Sequence, residues 1–109
     1  MMKPVRYRVE WTEEAEGDAL GIVSYFDSSI NAERVITRFE TKAAALAIFP
    51  ETGRIVPELR RIGVITYHEV FTGPWRMLYE IRDYSVFIVA VLDGRRDLAE
   101  MLFERFVRP

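Results

Sequence analysis

Apolar and polar residues alternate without interruption from residue 5 to residue 11 of the chain. The run reads Val-Arg-Tyr-Arg-Val-Glu-Trp, in which every second side chain is apolar. A period of two places the apolar side chains on one face of a β-strand and the charged side chains on the other. The pattern therefore predicts a first strand with one buried face and one solvated face.

The spacing of apolar residues changes to that of a helix after Thr12, whose side-chain oxygen is suited to cap the first free amides. A first helix is predicted at about residues 13–28, and a second begins with Asn31 as its N-cap and ends before Pro50. The stripes consist of Ala15, Ala19, Ile22, Val23 and Phe26 in the first helix, and Ala32, Val35, Ile36, Phe39, Ala43 and Leu46 in the second. Because the connecting loop is short, an antiparallel helical hairpin is expected.

Three stretches of the second half are rich in β-branched and aromatic residues, which is typical of strands. The predicted strands span residues 64–71, 75–82 and 85–93, and their short connections indicate an antiparallel meander. The middle strand alternates, with Trp75, Met77, Tyr79 and Ile81 on one face and Arg76, Leu78, Glu80 and Arg82 on the other. The last strand is continuously apolar from Val86 to Leu92, which predicts a central position with both faces covered.

A final apolar stripe follows the strands. Asp97 is suited to cap a helix that carries Leu98, Met101, Leu102 and Phe106. The resulting order, β-α-α-β-β-β-α, predicts a two-layer α+β fold in which an amino-terminal strand and helical hairpin pack on an antiparallel sheet. We find no linker, repeat or low-complexity segment, so residues 1–109 are expected to form one domain.

Composition excludes several classes of function. The chain has no cysteine and one histidine, His68, so disulfides and most metal sites are excluded, and no cofactor is expected. No apolar run is long enough to span a membrane, and no apolar signal segment precedes the first strand, so a cytoplasmic location is expected. The net charge of -2 is unusual for a protein that binds nucleic acid by charge alone.

Four short motifs occur in a fixed order along nearly the whole chain. They are Thr12-Glu13-Glu14-Ala15 at the start of the hairpin, Pro50-Glu51-Thr52-Gly53 with Val56-Pro57-Glu58-Leu59 after it, Trp75-Arg76-Met77-Leu78-Tyr79 in the middle strand, and Val91-Leu92-Asp93-Gly94-Arg95-Arg96-Asp97 after the last strand. In this order they resemble the RelE/ParE superfamily of bacterial toxins. None of the motifs is specific alone.

The resemblance implies a toxin of a type II toxin–antitoxin module, of the kind that stabilises plasmids by addiction and inhibits growth. It implies a cognate antitoxin as partner. It also implies one of two targets, because the RelE branch cleaves messenger RNA on the ribosome and the ParE branch blocks DNA gyrase.

The nuclease branch uses lysines on the second strand, arginines on the third strand and after the fourth, and often a tyrosine or histidine on the last helix. By position, Arg76 and Arg96 match the two arginines. The lysine positions fall on Tyr67 and Glu69, and the tyrosine position falls on Leu102. Metal-free RNA cleavage needs a base, cations around the phosphate and an acid, and this set is incomplete.

An anion at Glu69 repels a scissile phosphate where the nuclease relatives attract it. This departure favours the ParE branch, which acts by protein contact and needs no catalytic residues. The alternative is a metal-independent, ribosome-dependent ribonuclease that uses Arg76, Arg96 and His68, the last as an acid with a suitable pKa. A third alternative is a decayed member that only binds its antitoxin.

Arg76, Arg95 and Arg96 are the candidate target-binding residues, because arginine is enriched at interface hot spots. Each has a structural alternative. Arg76, expected to project into a solvent groove, could instead pair with Glu69 or Glu80, and the two later arginines could face the carbonyl end of a helix. Exposed apolar surface on the hairpin or the last helix is expected to receive the antitoxin, and to allow a symmetric dimer of free chains.

Overall fold

The computed structural model of the chain describes residues 5–109, which fold into a five-stranded sheet with helices on both faces. In chain order the elements are β1 (Arg8–Trp11), α1 (Glu13–Val23), α2 (Ser29–Ala45), β2 (Arg54–Ile55), α3 (Pro57–Arg60), β3 (Tyr67–Thr72), β4 (Trp75–Arg82), β5 (Ser85–Asp93) and α4 (Ala99–Phe106). The predicted α+β class and element order are confirmed, with β2 and α3 as short additions. The expectation about a signal segment concerns residues 1–4, which lie outside the described range.

The sheet has the strand order β1-β5-β4-β3-β2. Neighbouring strands from β2 to β5 are antiparallel, as predicted for the meander, whereas β1 runs parallel to β5, with Arg8 opposite Ser85 and Trp11 opposite Ile88. The sheet is therefore mixed and not wholly antiparallel. β5 lies between β1 and β4, in agreement with its continuous apolar sequence.

Side-chain caps set where the two long helices begin. The hydroxyl oxygen of Thr12 accepts a hydrogen bond from the Ala15 N–H at 3.2 Å, which confirms the predicted cap of α1. α1 ends at Val23, earlier than predicted. The N-cap of α2 is Ser28 and not Asn31, because the Ser28 oxygen accepts the Asn31 N–H at 3.1 Å and so closes the first turn three residues sooner.

Two hydrophobic cores lie on opposite faces of the sheet. The first packs α1 and α2 against one face and includes Phe39, Leu46, Trp75, Met77, Tyr79, Val86 and Ile88. The second packs α3 and α4 against the other face and includes Val56, Leu59, Leu78, Ala90, Leu92, Leu98 and Leu102. The predicted two-layer arrangement is thus wrong. Helices cover both faces because β5 presents apolar side chains on both.

A β-bulge in β5 explains how one strand supplies both cores. The pairing with β4 passes from Tyr79 opposite Ile88 to Leu78 opposite Ala90, so Val89 is an extra residue without a partner. Ile88 then belongs to the first core, whereas Val89 and Ala90 both pack in the second. The bulge therefore reverses the alternation of the strand midway.

Two charged side chains satisfy the edge of β5 where β1 ends. The Val89 carbonyl accepts a hydrogen bond from Arg105 Nη2 at 2.7 Å, and the Val91 N–H donates to Asp18 Oδ2 at 3.0 Å. Asp18 of α1 and Arg105 of α4 also form an ion pair, with Nη2 and Oδ2 2.9 Å apart. This bridge connects two helices through the bulge, and it satisfies backbone groups of β5 beyond the end of β1.

Candidate functional site

Arg76 of β4 lies in a buried ion-pair cluster. Its Nη1 and Nη2 donate to the two carboxylate oxygens of Glu58 at 2.6 and 2.7 Å, and its Nε donates to Glu69 Oε1 at 2.6 Å. Arg54 Nε donates to the other oxygen of Glu69 at 2.8 Å. Arg76 is only 5% exposed. The expectation that it projects into a solvent groove is wrong, and the alternative ion pair with Glu69 is confirmed.

The electrostatics of this cluster hold Arg76 and Glu58 charged. The hydrogen bonds from Arg76 lower the pKa of Glu58 below its ordinary value, although burial opposes them. The same bonds to Glu58 raise the pKa of Arg76, again against burial. Glu58 lies beside Arg76, although it is not among the positions matched to nuclease residues. Because it is ionised at neutral pH and already accepts two hydrogen bonds, it offers no proton to a leaving group.

The remaining nuclease positions on this face of the sheet are occupied by packed side chains. Tyr67 packs against Phe106 of α4, with ring centroids 4.7 Å apart and the rings tilted by 45°. Leu102 of α4 is fully buried and packs with Leu78 and Ala90. At one lysine position and at the tyrosine position of the nuclease relatives, this protein therefore has side chains of the second core, and at the other lysine position it has Glu69 of the ion-pair cluster.

His68 lies on the opposite face of the sheet from Arg76. Its ring stacks on Tyr79 with centroids 5.6 Å apart, and Tyr79 belongs to the core beneath α1 and α2. Within residues 5–109, the buried His68 Nδ1 has no hydrogen-bond partner. Because the sheet separates His68 from Arg76, the three residues named for a ribonuclease do not converge on one point.

Arg95 and Arg96 are exposed in the turn after β5. The Arg95 side chain donates from Nε and Nη2 to the two oxygens of Asp93, each at 3.0 Å, and these bonds lower the pKa of Asp93 to about 2. The Arg96 guanidinium forms no ion pair within the described part of the chain. Asp97 accepts the Ala99 N–H at 3.2 Å, although the N-cap position of α4 is Leu98 and not Asp97 as predicted.

Both arginines line a cavity of about 770 Å³ between α1 and α4, which we call the α1–α4 groove. Its floor is the edge of β5, and its α1 side carries Gly17, Gly21 and Tyr25. The two glycines leave the helix surface open, and Tyr25 is 88% exposed. The motifs located the arginines but not this α1 side, whose signal in the sequence is a spacing of four residues, one helical turn apart.

Two negative findings limit the chemistry of residues 5–109. No helix there is long and apolar enough to cross a lipid bilayer. In the same range, no three His, Asp or Glu side chains are grouped so as to hold a metal ion. The arrangement found at the α1–α4 groove, exposed arginines beside an aromatic ring and open backbone, is suited to binding another macromolecule.

Comparisons with known proteins agree with the fold and with the motifs. A family model described as the ParE toxin of the type II toxin–antitoxin system parDE matches residues 9–98. Toxin ParE3 of Caulobacter vibrioides is 35% identical over 71 residues, which are 65% of this chain and 67% of that toxin.

Two solved structures share the fold. One is the chromosomal ParDE toxin–antitoxin system of P. aeruginosa, with a TM-score of 0.61 and 14% identity over 81% of this chain and 96% of that one. The other is the toxin–antitoxin complex RelBE2 of Mycobacterium tuberculosis, with a TM-score of 0.57 and 23% identity over 82% of this chain and 92% of that one.

Proposed function

We propose, from the premise that this chain belongs to the ParE toxin family of type II toxin–antitoxin systems, that it inhibits growth by binding DNA gyrase and does not cleave RNA. The chain is a toxin of a ParDE/RelBE-type system. We also propose that the protein acts in the cytoplasm.

The observation that carries the proposal is the state of Arg76. RNA cleavage without a metal needs free cations at the phosphate together with a base and an acid. Here Arg76 donates three hydrogen bonds to two carboxylates, Leu102 fills the position of the last-helix tyrosine, and His68 lies on the other face of the sheet. A protein that inhibits its target by contact needs none of these groups.

The α1–α4 groove is the proposed surface for gyrase. Arg95 and Arg96 lie at its rim with Tyr25 beside them, and arginine and tyrosine are the residue types that contribute most to protein interfaces. Arg96 is the stronger candidate, because Arg95 is partly occupied by Asp93. Arg76 was also expected to bind the target. Its burial leaves it a supporting role, since it holds α3 and the sheet together beneath the second core.

A cognate antitoxin is the second proposed partner. Both structural relatives are described as toxin–antitoxin systems, and this chain exposes apolar side chains that a partner would cover, among them Leu20, Tyr25, Ile30 and Phe103. Exposed apolar surface of this kind marks a protein interface. An antitoxin that occupies the groove would exclude gyrase from it directly.

The test is a supercoiling reaction with purified gyrase and the purified chain. We expect inhibition at micromolar concentration, and we expect the double variant Arg95→Ala, Arg96→Ala to lose it. The matched control is Arg82→Ala, Arg108→Ala, which removes the same charge from two exposed arginines outside the groove. Supercoiling that is unaffected by the wild-type chain, together with cleavage of messenger RNA in a ribosome assay, would establish the ribonuclease alternative.

Expression of the chain without its antitoxin separates these activities from simple antitoxin binding. Growth arrest is expected for the wild type and for the control variant. Normal growth on expression of a folded wild-type chain would support the decayed member that only binds its partner.

A further inference from the structure

One flank of α2 carries a row of cations. Arg34, Arg38 and Lys42 recur at every fourth residue, so they lie on one side of the helix, with a rise of about 6 Å from each to the next. Thr37 and Thr41 line the same cavity as Arg38 and Lys42. We call Arg34, Arg38 and Lys42 the α2 basic row.

Arg38 and Lys42 of the row face the turn between β3 and β4. A cavity of about 370 Å³ opens there, lined by Thr37, Arg38, Thr41, Lys42, Ala45 and Thr72, and it shares no residue with the α1–α4 groove. Arg38 is held at this turn by an aromatic ring, since its guanidinium carbon is 5.7 Å from the centroid of Trp75. Gly73 makes room for it, because a Cβ at that residue would lie 2.8 Å from Arg38 Nη2.

No carboxylate within residues 5–109 forms an ion pair with the α2 basic row. Glu40 of α2 lies on the other side of the helix, where it lines a separate cavity together with Glu16 of α1. The hairpin therefore divides its charge, acidic toward α1 and basic toward the turn. The net charge of -2 does not reveal this local separation of charge. At physiological salt a ligand responds to the local charge, because screening limits the range of each charge to about 8 Å.

We propose that the α2 basic row, with Thr37, Thr41 and Thr72, binds phosphate groups of a nucleic-acid backbone. Arginine, lysine and threonine are the side chains that contact backbone phosphates, and a line of unpaired cations along a helix follows such a polyanion. The cavity offers no aromatic face or amide to read a base, so binding is independent of sequence. The proposal goes beyond gyrase inhibition and does not require it.

The test is fluorescence anisotropy of a labelled 20-base-pair duplex titrated with the full chain at several salt concentrations. Three phosphate contacts predict a salt slope of about -2.7, which is roughly a 40-fold loss of affinity between 50 and 200 mM salt. Binding in the range of 10⁻⁴ to 10⁻⁶ M is expected near physiological salt.

The variant Arg34→Ala, Arg38→Ala, Lys42→Ala should bind at least tenfold more weakly and lose most of the salt slope. Its control, Arg8→Ala, Arg82→Ala, Arg108→Ala, removes the same charge from three exposed arginines that pair with carboxylates, and it should bind like the wild type. Circular dichroism checks that both variants fold.

Equal weakening of the two triple variants would overturn the proposal, because net charge and not the row would then govern binding. Displacement of the duplex by poly-glutamate at equal charge concentration would overturn the assignment to phosphate. The double variant at Arg95 and Arg96 should still bind the duplex, so failure of this test and failure of the gyrase test are distinguishable.

Discussion

Two arginine-bearing regions, the cluster around Arg76 and the turn at Arg95 and Arg96, are both matched by the family motifs but differ in almost every physical respect. Arg76 is buried and donates three hydrogen bonds to two carboxylates. Arg96 is exposed, and its guanidinium has no carboxylate partner within the described chain. A motif therefore gives the position of a charged residue, whereas carboxylates from other parts of the chain determine whether its charge is available to a target.

The difference arises from which carboxylates the fold brings near. Glu58 and Glu69 reach Arg76 from α3 and β3. The guanidinium of Arg76 stabilises both negative charges, because a carboxylate removed from water without a cationic partner is strongly unfavourable. Arg95 has only Asp93 of the same turn, with both side chains in contact with water. An exposed pair of this kind contributes little to stability and leaves the arginine free to exchange partners.

Loss of the Arg76 side chain should have the largest effect. Arg76→Ala leaves Glu58 without a cationic partner and Glu69 with Arg54 alone, so we expect the free energy of unfolding to fall by about 3–5 kcal/mol. Urea denaturation measures this, with Arg82→Ala as an exposed control that changes it by less than about 1 kcal/mol. A stable, fully folded Arg76→Ala protein would contradict the structural role given to the cluster.

Removal of the Asp18 carboxylate tests the wall of the α1–α4 groove. Asp18→Ala frees the Val91 N–H and leaves Arg105 without its ion pair, so we expect a loss of about 1.5–3 kcal/mol and faster hydrogen exchange at the Val91 amide. Glu14→Ala, on the exposed surface of α1, is the control. Unchanged exchange at Val91 would show that the bridge does not hold the edge of β5.

Acidification tests the contribution of Glu58 to the cluster. The pKa of Glu58 is lowered in the folded protein relative to its ordinary value of 4.5, so its contribution to stability is present above that value and is lost as the pH falls through the lowered pKa. Glu58→Gln should cost roughly 1–2 kcal/mol at pH 7 and should flatten the pH dependence below pH 5. Denaturation curves of both proteins between pH 3 and pH 7 measure the difference. Parallel curves would refute it.

The smallest effect on stability is expected at the exposed turn. Arg95→Ala, Arg96→Ala should change the free energy of unfolding by less than about 0.5 kcal/mol, since such surface positions make no buried contact. The same variant should nonetheless lose gyrase inhibition. A large destabilisation would mean that these arginines, like Arg76, serve the fold.

Local patterns in the sequence were sufficient for the longer elements. β4 and β5 have the predicted bounds, and Thr12 caps α1 as expected. The strand predicted at residues 64–71 begins later because the Val64 N–H closes the turn after α3 by donating to the Leu59 carbonyl. β2 and α3 are only two and four residues long, too short to show a period, and they depend on tertiary contacts.

The candidate site was predicted less completely than the fold. Motifs located the arginines, and the predicted sheet offered Glu69 as a partner of Arg76, but the pair of Arg76 with Glu58 and the bridge between Asp18 and Arg105 join residues far apart in the chain. No local pattern encodes such pairs. The bulge at Val89 was also missed, since a continuous apolar run conceals a change of alternation that only the neighbouring strand fixes.

The parallel pairing of β1 with β5 has a consequence for how the toxin is made. β1 cannot join the sheet until β5 has been synthesised, because Arg8 pairs with Ser85. At about 5–20 residues per second, this delay lasts roughly 4–15 s on the ribosome. α4, which completes the groove, is synthesised later still. The nascent chain therefore cannot form the α1–α4 groove until both β5 and α4 have been synthesised.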